Sequence, residues 1–540
     1  MSLKVTRPTR RRSGDLFAAA ICGGVVGLCC GAPGLWPACL AALVGLNALV
    51  IVSSRGTHGR SLAIVAVACA AWHGGAAWWA LLAVHEDGTW MPRLWQVVIV
   101  AIVMGSQALW FAGSWLAVRT MLLRSGPALP PSASSAGWAW CLAFANGDVL
   151  RQLGWTGDPY GNLAVALVDA PGVAGLLPWV GGQGVTWIAM ALATALAITA
   201  LQWIQTGAPR ITPLACASMG WSVALAGVVV GWLPSTAEST FTHERDSRLQ
   251  ILAVQPVIAG RGSWSRELRD KAIALLDDAI AQAAPGTVIV TPESYLAEPP
   301  PDHAEGMWAD LQRQIASHEV HLVVGMPQVA RDESGTHLMN VALHLAPQRQ
   351  SIYAKERLVP AAEYLPWPDL FGAFYARVFK GARQGEWPAP PELTAPLYVG
   401  GVEIGMSICH ELSFASTMVE RAADAGMLVN LSLDGWIPSA AYRQQMLSTA
   451  RVRAMELGKP VLRVADAGGS VLFDQRGHAV PPAWRHPDLA SFADVKARDG
   501  HTAYQRIAAW LAAAPVVATG LVLVAAFIRH RSVILRSSTP

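Results

Sequence analysis

The chain is poor in charge. Of its 540 residues only 14% are Asp, Glu, Lys or Arg, against about 25% in ordinary soluble domains. This deficit excludes a disordered protein and a coiled coil, both of which are rich in charged residues. The formal net charge is only +3, from 40 basic and 37 acidic residues, so the basic excess of a nucleic-acid-binding protein is missing. Eight cysteines in 540 residues are too few for a disulfide-stapled miniprotein.

Apolar residues are abundant instead, at 53% of the chain with 23 Trp. Many lie in runs of about 20 residues, the length that crosses a bilayer as a helix. We predict eight membrane spans, at residues 15–32, 34–53, 61–84, 94–118, 135–152, 175–204, 213–234 and 507–528. The fifth span is the least apolar, since it contains Asn146, Asp148 and Arg151. Asp148 and Arg151 share a helix face, and a structural ion pair is the favoured interpretation.

Basic residues are concentrated at both chain ends and in the connections that follow even-numbered spans, whereas the connection between spans 3 and 4 is acidic. The positive-inside rule therefore places both termini in the cytoplasm. The basic N-terminus does not read as a cleavable signal, because no small-residue cleavage site ends the first apolar run. The expected organisation has four parts: an N-terminal transmembrane domain (1–234), an extracytoplasmic domain (235–506), a C-terminal transmembrane helix (507–528) and a cytoplasmic tail (529–540).

The composition changes sharply after Trp232, where residues 235–248 read as a polar linker. Apolar strand-like runs then alternate with amphipathic helical stretches, which is typical of an α/β domain. The predicted strands are 248–256, 287–292, 321–327, 340–346, 402–408, 427–433 and 460–473. The predicted helices are 264–283, 305–318, 413–425 and 439–458.

One cysteine is set apart from the rest. Seven of the eight lie inside predicted spans, where a thiol serves as a small apolar group. Only Cys409 lies in the extracytoplasmic domain, and an oxidising compartment favours paired cysteines. A lone thiol there is either a buried bystander or a nucleophile, and the count alone does not separate the two.

Three ionisable or nucleophilic residues follow the ends of predicted strands. Cys409 ends the run VEIGMSIC before a helical stretch, and a strand-to-helix turn projects a nucleophile from the sheet edge. Glu293 follows TVIVTP and Lys355 follows SIYA. A buried carboxylate suits a general base, and a nearby Lys offsets a thiolate or an oxyanion. Singly, Glu and Lys at strand ends are more often solvated loop residues; the set of three points to nucleophilic catalysis.

The segments TPES, YAKERLVPAAEYLP and GMSICHELSF resemble the catalytic segments of the nitrilase (carbon–nitrogen hydrolase) superfamily. Within it, nearly the whole chain resembles the bacterial apolipoprotein N-acyltransferases, which join several spans, an extracytoplasmic nitrilase domain and a final span. The resemblance implies an α/β domain of the nitrilase-like αββα sandwich type. It also implies a triad of Cys409 as nucleophile, Glu293 as general base and Lys355 as oxyanion and thiolate partner. Glu363 and Glu411 match supporting carboxylates, and no cofactor or metal is implied.

The chain departs from the family pattern beside the nucleophile. An aromatic residue, usually Tyr, follows the family's cysteine, whereas this chain has His410, for which a space-filling role is favoured over acid/base chemistry. The family's S-N-D-x-W-F is SLDGWI here, with Leu433 in place of Asn, and its T-N-N-G-like stretch is ADAG at 465–468. These positions surround the nucleophile in the family, so the changes leave the acyl donor and acceptor open.

The resemblance implies transfer of an acyl chain from a phospholipid, through a Cys409 thioester, to the α-amino group of the diacylglyceryl-cysteine of a lipoprotein. The expected partners are the phospholipid donor, the lipoprotein acceptor and membrane lipid, without nucleic acid. The expected state is a monomer in the bacterial inner membrane, with the catalytic domain in the periplasm. The Trp-rich segments 85–95 and 363–379 either reach the membrane interface, the second as a lid, or pack in the core.

Two other functions compete with this one. A membrane-anchored amidase or hydrolase of the nitrilase family, of the kind encoded with conjugal-transfer systems, would use water as the second nucleophile. Eight spans disfavour it, because one anchor suffices for such an enzyme. A non-catalytic membrane scaffold is disfavoured by the intact Glu293, Lys355 and Cys409.

Overall fold

The structure is a computed structural model of the 540-residue chain. It describes residues 10–83, 93–122, 132–153, 157, 159–206, 241–256, 266–296, 306–332, 335–360, 362–364, 388, 390–467 and 469–537. The predicted span at 213–234 lies outside these residues. So do the greater parts of the Trp-rich segments 85–95 and 363–379.

Apolar helices make up the N-terminal half and the C-terminal end. They are α1 (Arg10–Cys29), α2 (Trp36–Ser54), α3 (His58–Ala76), α4 (Arg93–Leu122), α5 (Ala133–Leu150), the short α6 (Leu163–Ala166), α7 (Val173–Thr206) and, at the C-terminal end, α12 (Ala503–Ser537). A helix therefore occupies each predicted span within the described residues, although α12 continues beyond the expected end at residue 528. By length and composition, four described segments suffice to cross a membrane: Pro33–Ser54, Val100–Leu122, Val173–Gln205 and Ala503–Val522.

Small residues and buried polar pairs hold these helices together. A Cβ on Gly23 or Gly27 of α1 would lie 2.0 Å from a backbone carbonyl oxygen of α3, so only glycine permits this close approach. Arg151 Nη2 lies 2.8 Å from Asp148 Oδ1, and both side chains are buried. The pair is the ion pair that the spacing predicts. It removes two unpaired charges from an apolar bundle, where each alone would be costly.

Two β-sheets form the core of the remaining half. The strands are β1 (Thr242–Val254), β2 (Val288–Val290), β3 (His321–Asp332), β4 (Gly335–Ala346), β5 (Arg349–Ala354), β6 (Leu397–Val399), β7 (Val402–Ile408), β8 (Met427–Ser432), β9 (Val461–Ala465), β10 (Val471–Phe473), β11 (Ala479–Val480), β12 (Ala483–His486) and β13 (Leu489–Gly500). The seven-stranded sheet has the order β12-β13-β1-β2-β3-β4-β5. The six-stranded sheet has the order β11-β10-β9-β8-β7-β6.

The sheets pack face to face and helices cover their outer faces. On β1, Ile251 points into the apolar core between the sheets, whereas its neighbour Leu252 packs under α8 (Arg266–Gln282) and α9 (Met307–His318). This period of two is what a strand buried on both faces requires. Two further helices, α10 (Ala415–Arg421) and α11 (Ala440–Leu457), cover the six-stranded sheet. The domain is an αββα sandwich, which confirms the α/β prediction.

Two sequence-based predictions about this domain were wrong, and one strand was missed. The supposed linker 235–248 contributes its residues from Thr242 onward to β1, which extends to Val254. The single strand predicted at 460–473 is a hairpin of β9 and β10, with Gly469 at a φ of +92° in the turn. Strand β13 was not predicted. Its polar end pairs with the polar start of β1 through cross-strand contacts such as Lys496 to Glu244, at 2.7 Å, so both segments look like loops in sequence.

The sandwich and the apolar helices meet along α11. The α11 residues Val452 and Met455 belong to the apolar core of the helical half. Glu456 Oε2 accepts a hydrogen bond of 2.8 Å from the backbone N–H of Gly182 on α7. The helix that covers the six-stranded sheet is therefore also packed into the membrane half.

Candidate active site

The predicted nucleophile directly follows β7, at the carboxyl end of that strand of the six-stranded sheet. Cys409 has a φ of 56°, a left-handed conformation that is rare for a residue with a side chain. It begins a tight 3₁₀ turn, Cys409–Ser413, and its side chain is buried. Asn430 Nδ2 donates to the Cys409 carbonyl oxygen at 3.1 Å and so fixes the strained turn. This is the strand-to-helix turn that the sequence predicts, with a 3₁₀ turn in place of the first residues of the helix.

The predicted base and lysine come from the other sheet and form a buried ion pair. Lys355 Nζ lies 3.0 Å from Glu293 Oε1, and Asn340 Nδ2 donates to the same oxygen at 2.8 Å. The second oxygen, Oε2, accepts the backbone N–H of Leu433 at 2.9 Å. Both oxygens of the Glu293 carboxylate are thus held by directed donors, which fix its orientation.

A second carboxylate shares the lysine. Glu363 Oε1 forms an ion pair with Lys355 Nζ, and Glu363 Oε2 accepts the backbone N–H of Val359 at 2.7 Å. Burial raises the pKa of Glu363 and the Glu293 carboxylate adds to this, whereas Lys355 lowers it. One ammonium group therefore lies between two carboxylates, the buried Glu293 and the partly exposed Glu363, an arrangement that holds Lys355 in place.

The Cys409 thiol lies within the electrostatic reach of this cluster. Burial raises its pKa, and the carboxylate of Glu293 raises it further, whereas Lys355 opposes the rise. The resting group is therefore a thiol, and it requires a base before it can attack a carbonyl carbon. Tyr442 on α11 places its hydroxyl oxygen 4.0 Å from the Cys409 sulfur.

Glu411 connects the nucleophile turn to the seven-stranded sheet. Its Oε2 accepts the N–H of Ile408 at 2.7 Å and the hydroxyl of Tyr353 at 2.8 Å. Its Oε1 accepts the N–H groups of Glu356 and Arg357, at 2.7 and 3.0 Å. Burial raises the pKa of Glu411, and the backbone donors partly offset that rise. Glu411 thus links Ile408, at the end of the strand before Cys409, to Tyr353 on β5 and to the two residues that follow Lys355.

His410, the residue that departs from the family pattern, makes no polar contact. It is buried, and within the described part of the chain neither ring nitrogen has a hydrogen-bond partner. Its ring packs edge-on against Phe414, with centroids 5.4 Å apart. Burial, together with Lys355 and Arg357, holds the pKa of His410 well below its usual value, so the ring is neutral. This geometry favours the space-filling role.

The sequence did not predict the groups that orient Glu293 through hydrogen bonds or that hold the turn contacting it. Asn340 begins the predicted strand 340–346 but lies in the middle of the longer β4, and no motif of the sequence marks it as a site residue. At Leu433 the lost Asn side chain was noticed, but the group that contacts Glu293 is the backbone N–H. Asp466 lies in the ADAG stretch, whose departure from the family pattern was the available signal. Its Oδ1 accepts the N–H groups of Asp434 and Gly435, at 2.6 and 3.0 Å.

The membrane half also reaches the site. The indole of Trp79, which follows α3, packs against the ring of Tyr442 with centroids 4.6 Å apart. Its Nε1 donates to Gln445 Oε1 on α11 at 3.0 Å. A side chain of the apolar helical half is therefore one residue removed from the Cys409 sulfur.

Known proteins account for both halves of the chain. Residues 22–195 match the family model described as the apolipoprotein N-acyltransferase N-terminal domain, and residues 257–498 match that of carbon–nitrogen hydrolase. The apolipoprotein N-acyltransferase of Ralstonia nicotianae is 27% identical over 92% of this chain and 90% of its own length. That of Azotobacter vinelandii is 25% identical over 80% of each chain. That of Chromobacterium violaceum is 26% identical over 68% of this chain and 69% of its own length.

The two matches fall on the two structural halves, and the relatives cover both in the same order. The N-terminal match lies within helices α1–α7, and the hydrolase match lies within the αββα sandwich that holds Glu293, Lys355 and Cys409. The chain therefore belongs to the apolipoprotein N-acyltransferases, the membrane-embedded branch of the nitrilase superfamily.

Proposed function

We propose that this chain transfers an acyl group from a phospholipid to the α-amino group of a lipoprotein's diacylglyceryl-cysteine. The observation that carries the proposal is the buried Glu293–Lys355 ion pair within electrostatic reach of the Cys409 thiol, in a domain packed against apolar helices. A thiol and its base suit acyl transfer. Direct packing against the membrane half suits substrates that are themselves lipids.

In the first half-reaction Glu293 removes the proton from the Cys409 thiol, and the thiolate attacks the ester carbonyl carbon of the phospholipid. The oxyanion that forms is stabilised by Lys355, whose charge needs no reorganisation during the step. The C–O ester bond then breaks. The departing glycerol oxygen takes the proton from Glu293, which releases a lysophospholipid and leaves a thioester on Cys409.

In the second half-reaction the free amine of the diacylglyceryl-cysteine attacks the thioester carbonyl. Glu293 accepts a proton from the nitrogen as the C–N bond forms, and the C–S bond breaks. The proton returns to sulfur, so that the N-acylated lipoprotein leaves and the Cys409 thiol is restored. Glu363 holds Lys355 throughout, and Glu411 holds the nucleophile turn in register with the lysine. Neither half-reaction requires a cofactor or a metal.

The membrane arrangement that we propose has eight spans, with both termini in the cytoplasm. Residues 1–234 and 507–528 anchor the chain in the inner membrane, and residues 235–506 form the catalytic domain on the periplasmic side. The Arg excess in the connections after even-numbered spans supports this orientation. A reporter that is active only in the cytoplasm should stay silent when fused near Ala330. Strong reporter activity there would contradict the orientation.

Supplying the phospholipid without an acceptor tests the reaction. We expect intact mass to show one acyl group on the purified enzyme, with little fatty acid released beyond one equivalent, because the site must exclude water to protect the thioester. A diacylglyceryl-cysteine peptide with a free amine should then discharge the adduct with ping-pong kinetics. An N-acetylated peptide is the matched control and should leave the adduct intact. Steady release of fatty acid that the peptide does not affect would instead support a hydrolase.

A further inference from the structure

Beyond the triad, we propose that Asp466 is a positioning residue whose charge holds the Leu433–Gly435 turn, and through that turn the base Glu293, in its working orientation. This inference rests on the function proposed above, because it assigns Glu293 the role of base. In this role Asp466 does not contact the substrate. The first half-reaction should slow when the Asp466 carboxylate becomes protonated.

The hydrogen bonds of the turn carry the argument. Three consecutive backbone N–H groups follow β8 and are divided between two carboxylates. The N–H of Leu433 points to Glu293 Oε2 at 2.9 Å, and the N–H groups of Asp434 and Gly435 point to Asp466. The two Asp466 bonds to Oδ1 measure 2.6 and 3.0 Å, and Oδ2 lies 3.2 Å from the Gly435 nitrogen. Any movement of the turn away from Asp466 therefore also moves the donor that orients Glu293.

The strand arrangement explains why Asp466 reaches this turn. Strands β8 and β9 are parallel neighbours, and Ser432 pairs with Ala465 at their carboxyl ends. Asp466 is the next residue after β9, as Leu433 is the next residue after β8. The residues that follow two parallel strands meet at one edge of the sheet. The Asp466 residue is 5% exposed, so water competes little for these bonds.

The turn that Asp466 holds lies among other titratable groups. From the β8 turn, Asp434 is fully buried and pairs with Arg463 of β9 at 2.6 Å, while its Oδ2 has no partner within the described residues. On the far side of the turn lies Glu293, and Tyr442 of α11 interacts with both Asp434 and Arg463. Burial, and then the Asp434 carboxylate, raises the pKa of Asp466 to about 6, although the backbone donors oppose the rise.

The protonation state of Asp466 determines how the rate of the first half-reaction should change with pH. Above pH 6 Asp466 is ionised, and its bonds to the two N–H groups are charge-assisted and strong. Below pH 6 the carboxyl group is neutral, its bonds weaken, and the turn that orients Glu293 loosens. An Asn at this position offers an uncharged oxygen at every pH, so it should behave like the protonated Asp.

The test compares the full-length Asp466→Asn variant with the wild type between pH 5 and pH 8. The readout is the rate of acyl-enzyme formation from phospholipid, followed by intact mass. Taking the ratio of the two rates removes every titration that both enzymes share, including that of Glu363. At pH 7.5 we expect the variant to form the acyl-enzyme about five-fold more slowly, because a charge-assisted hydrogen bond is roughly twice as strong as a neutral one. At pH 5 we expect the two rates to converge.

A ratio that does not change with pH would overturn the proposal. So would a variant faster than the wild type at pH 7.5, because the Asp466 charge would then act by repelling the thiolate rather than by holding the turn. Asp474→Asn is the matched control. Asp474 also accepts two backbone N–H groups, of Arg476 and His478 at 2.9 and 2.8 Å, but in the turn after β10. This variant should keep the wild-type pH profile.

A second readout separates this proposal from the function on which it rests. The rate at which iodoacetamide alkylates Cys409, measured on the Cys409 peptide by mass spectrometry, depends on the base but not on any acyl donor. If phospholipid gives no adduct on the wild type, the acyltransferase function fails. The alkylation ratio of Asp466→Asn to wild type still decides the role of Asp466. Asp466→Glu, which keeps the charge, should restore the acid dependence of alkylation if the asparagine variant folds poorly.

Discussion

The two sheets of the sandwich contribute different things to one site. The seven-stranded sheet supplies side-chain charge, from Glu293 after β2 and Lys355 after β5. The six-stranded sheet supplies the proposed nucleophile and directed backbone groups. Cys409, Leu433 and Asp466 each follow one of three parallel neighbours, β7, β8 and β9. The proposed acid–base groups and the proposed nucleophile therefore come from different sheets, and neither sheet carries all three residues.

The two sides of the site, one from each sheet, are held in place by different kinds of interaction. On the charged side, the groups are held by one another, since Lys355 lies between Glu293 and Glu363. Removal of one member leaves an uncompensated buried charge. On the nucleophile side, the groups are held by strand ends and by N–H bonds, which most side-chain substitutions leave in place. Substitution of Glu293 or Lys355 should thus disturb the chemistry and the stability together, whereas substitution of Cys409 should separate the two.

The largest expected effect is that of Cys409→Ser, on the nucleophile side. A serine hydroxyl is far less acidic than a thiol, so its alkoxide does not form to a useful extent near neutral pH. We expect complete loss of the acyl adduct in intact-mass spectra, with the thermal unfolding temperature close to that of the wild type. Cys69→Ser, in α3, is a control that leaves the nucleophile untouched and should keep the adduct. An adduct that survives Cys409→Ser would place the nucleophile elsewhere.

Glu293→Gln should come next, with a loss of about 10²- to 10⁴-fold in the rate of adduct formation, the usual contribution of a positioned base. The Gln amide cannot accept the thiol proton, and its NH₂ group opposes either Lys355 or the Leu433 N–H. Single-turnover acylation measures the rate. Glu319→Gln, at an exposed position, is the control and should be neutral. A loss that disappears at high pH, where the thiol ionises unaided, would support the role as base; a pH-independent loss would refute it.

The sequence predicted the features of this site that depend on local order. Cys409, Glu293 and Lys355 stand at the ends of apolar runs, so their positions at strand ends were visible without a structure. The αββα sandwich was expected only because the catalytic segments resemble those of a known superfamily. The supporting roles of Glu363 and Glu411 came from that resemblance too, and they stay predictions.

Features that depend on pairing between distant segments were not visible. Asn340 faces Glu293 because of the register of β4 in its sheet, which the run NVALHLA does not reveal. Strand β13 alternates charged and apolar residues, and its charges form ion pairs with the equally polar start of β1. The contact of Trp79 with Tyr442 joins two halves of the chain that composition separates. The role of each such group depends on a partner that is distant in the sequence, so the local sequence does not reveal it.

A smaller effect is expected at Glu411, the link between the two sheets. Glu411→Gln presents an NH₂ group where the carboxylate accepted N–H or O–H donors, so at least one donor is left unpaired in a buried site. The cost should be about 1–3 kcal/mol of unfolding free energy, measured by chemical denaturation, with a parallel drop in acylation rate. Tyr353→Phe removes only one of the four donors and should cost about 1 kcal/mol. If the two variants proved equally stable, Glu411 would not link the sheets in the way described.

The smallest effect should come from Tyr442→Phe, which asks how the membrane half acts on the nucleophile. The hydroxyl lies 4.0 Å from the Cys409 sulfur, at the limit of a hydrogen bond to sulfur, whereas the ring packs on Trp79 with centroids 4.6 Å apart. If packing is what matters, loss of the hydroxyl should slow acylation by no more than about three-fold, less than a typical hydrogen bond is worth. Tyr442→Ala, which removes the ring, should cost about 3 kcal/mol of stability and lower the rate more. A ten-fold loss in Tyr442→Phe at unchanged stability would mean that the hydroxyl itself acts on the Cys409 sulfur, and that α11 contributes chemistry to the site as well as packing.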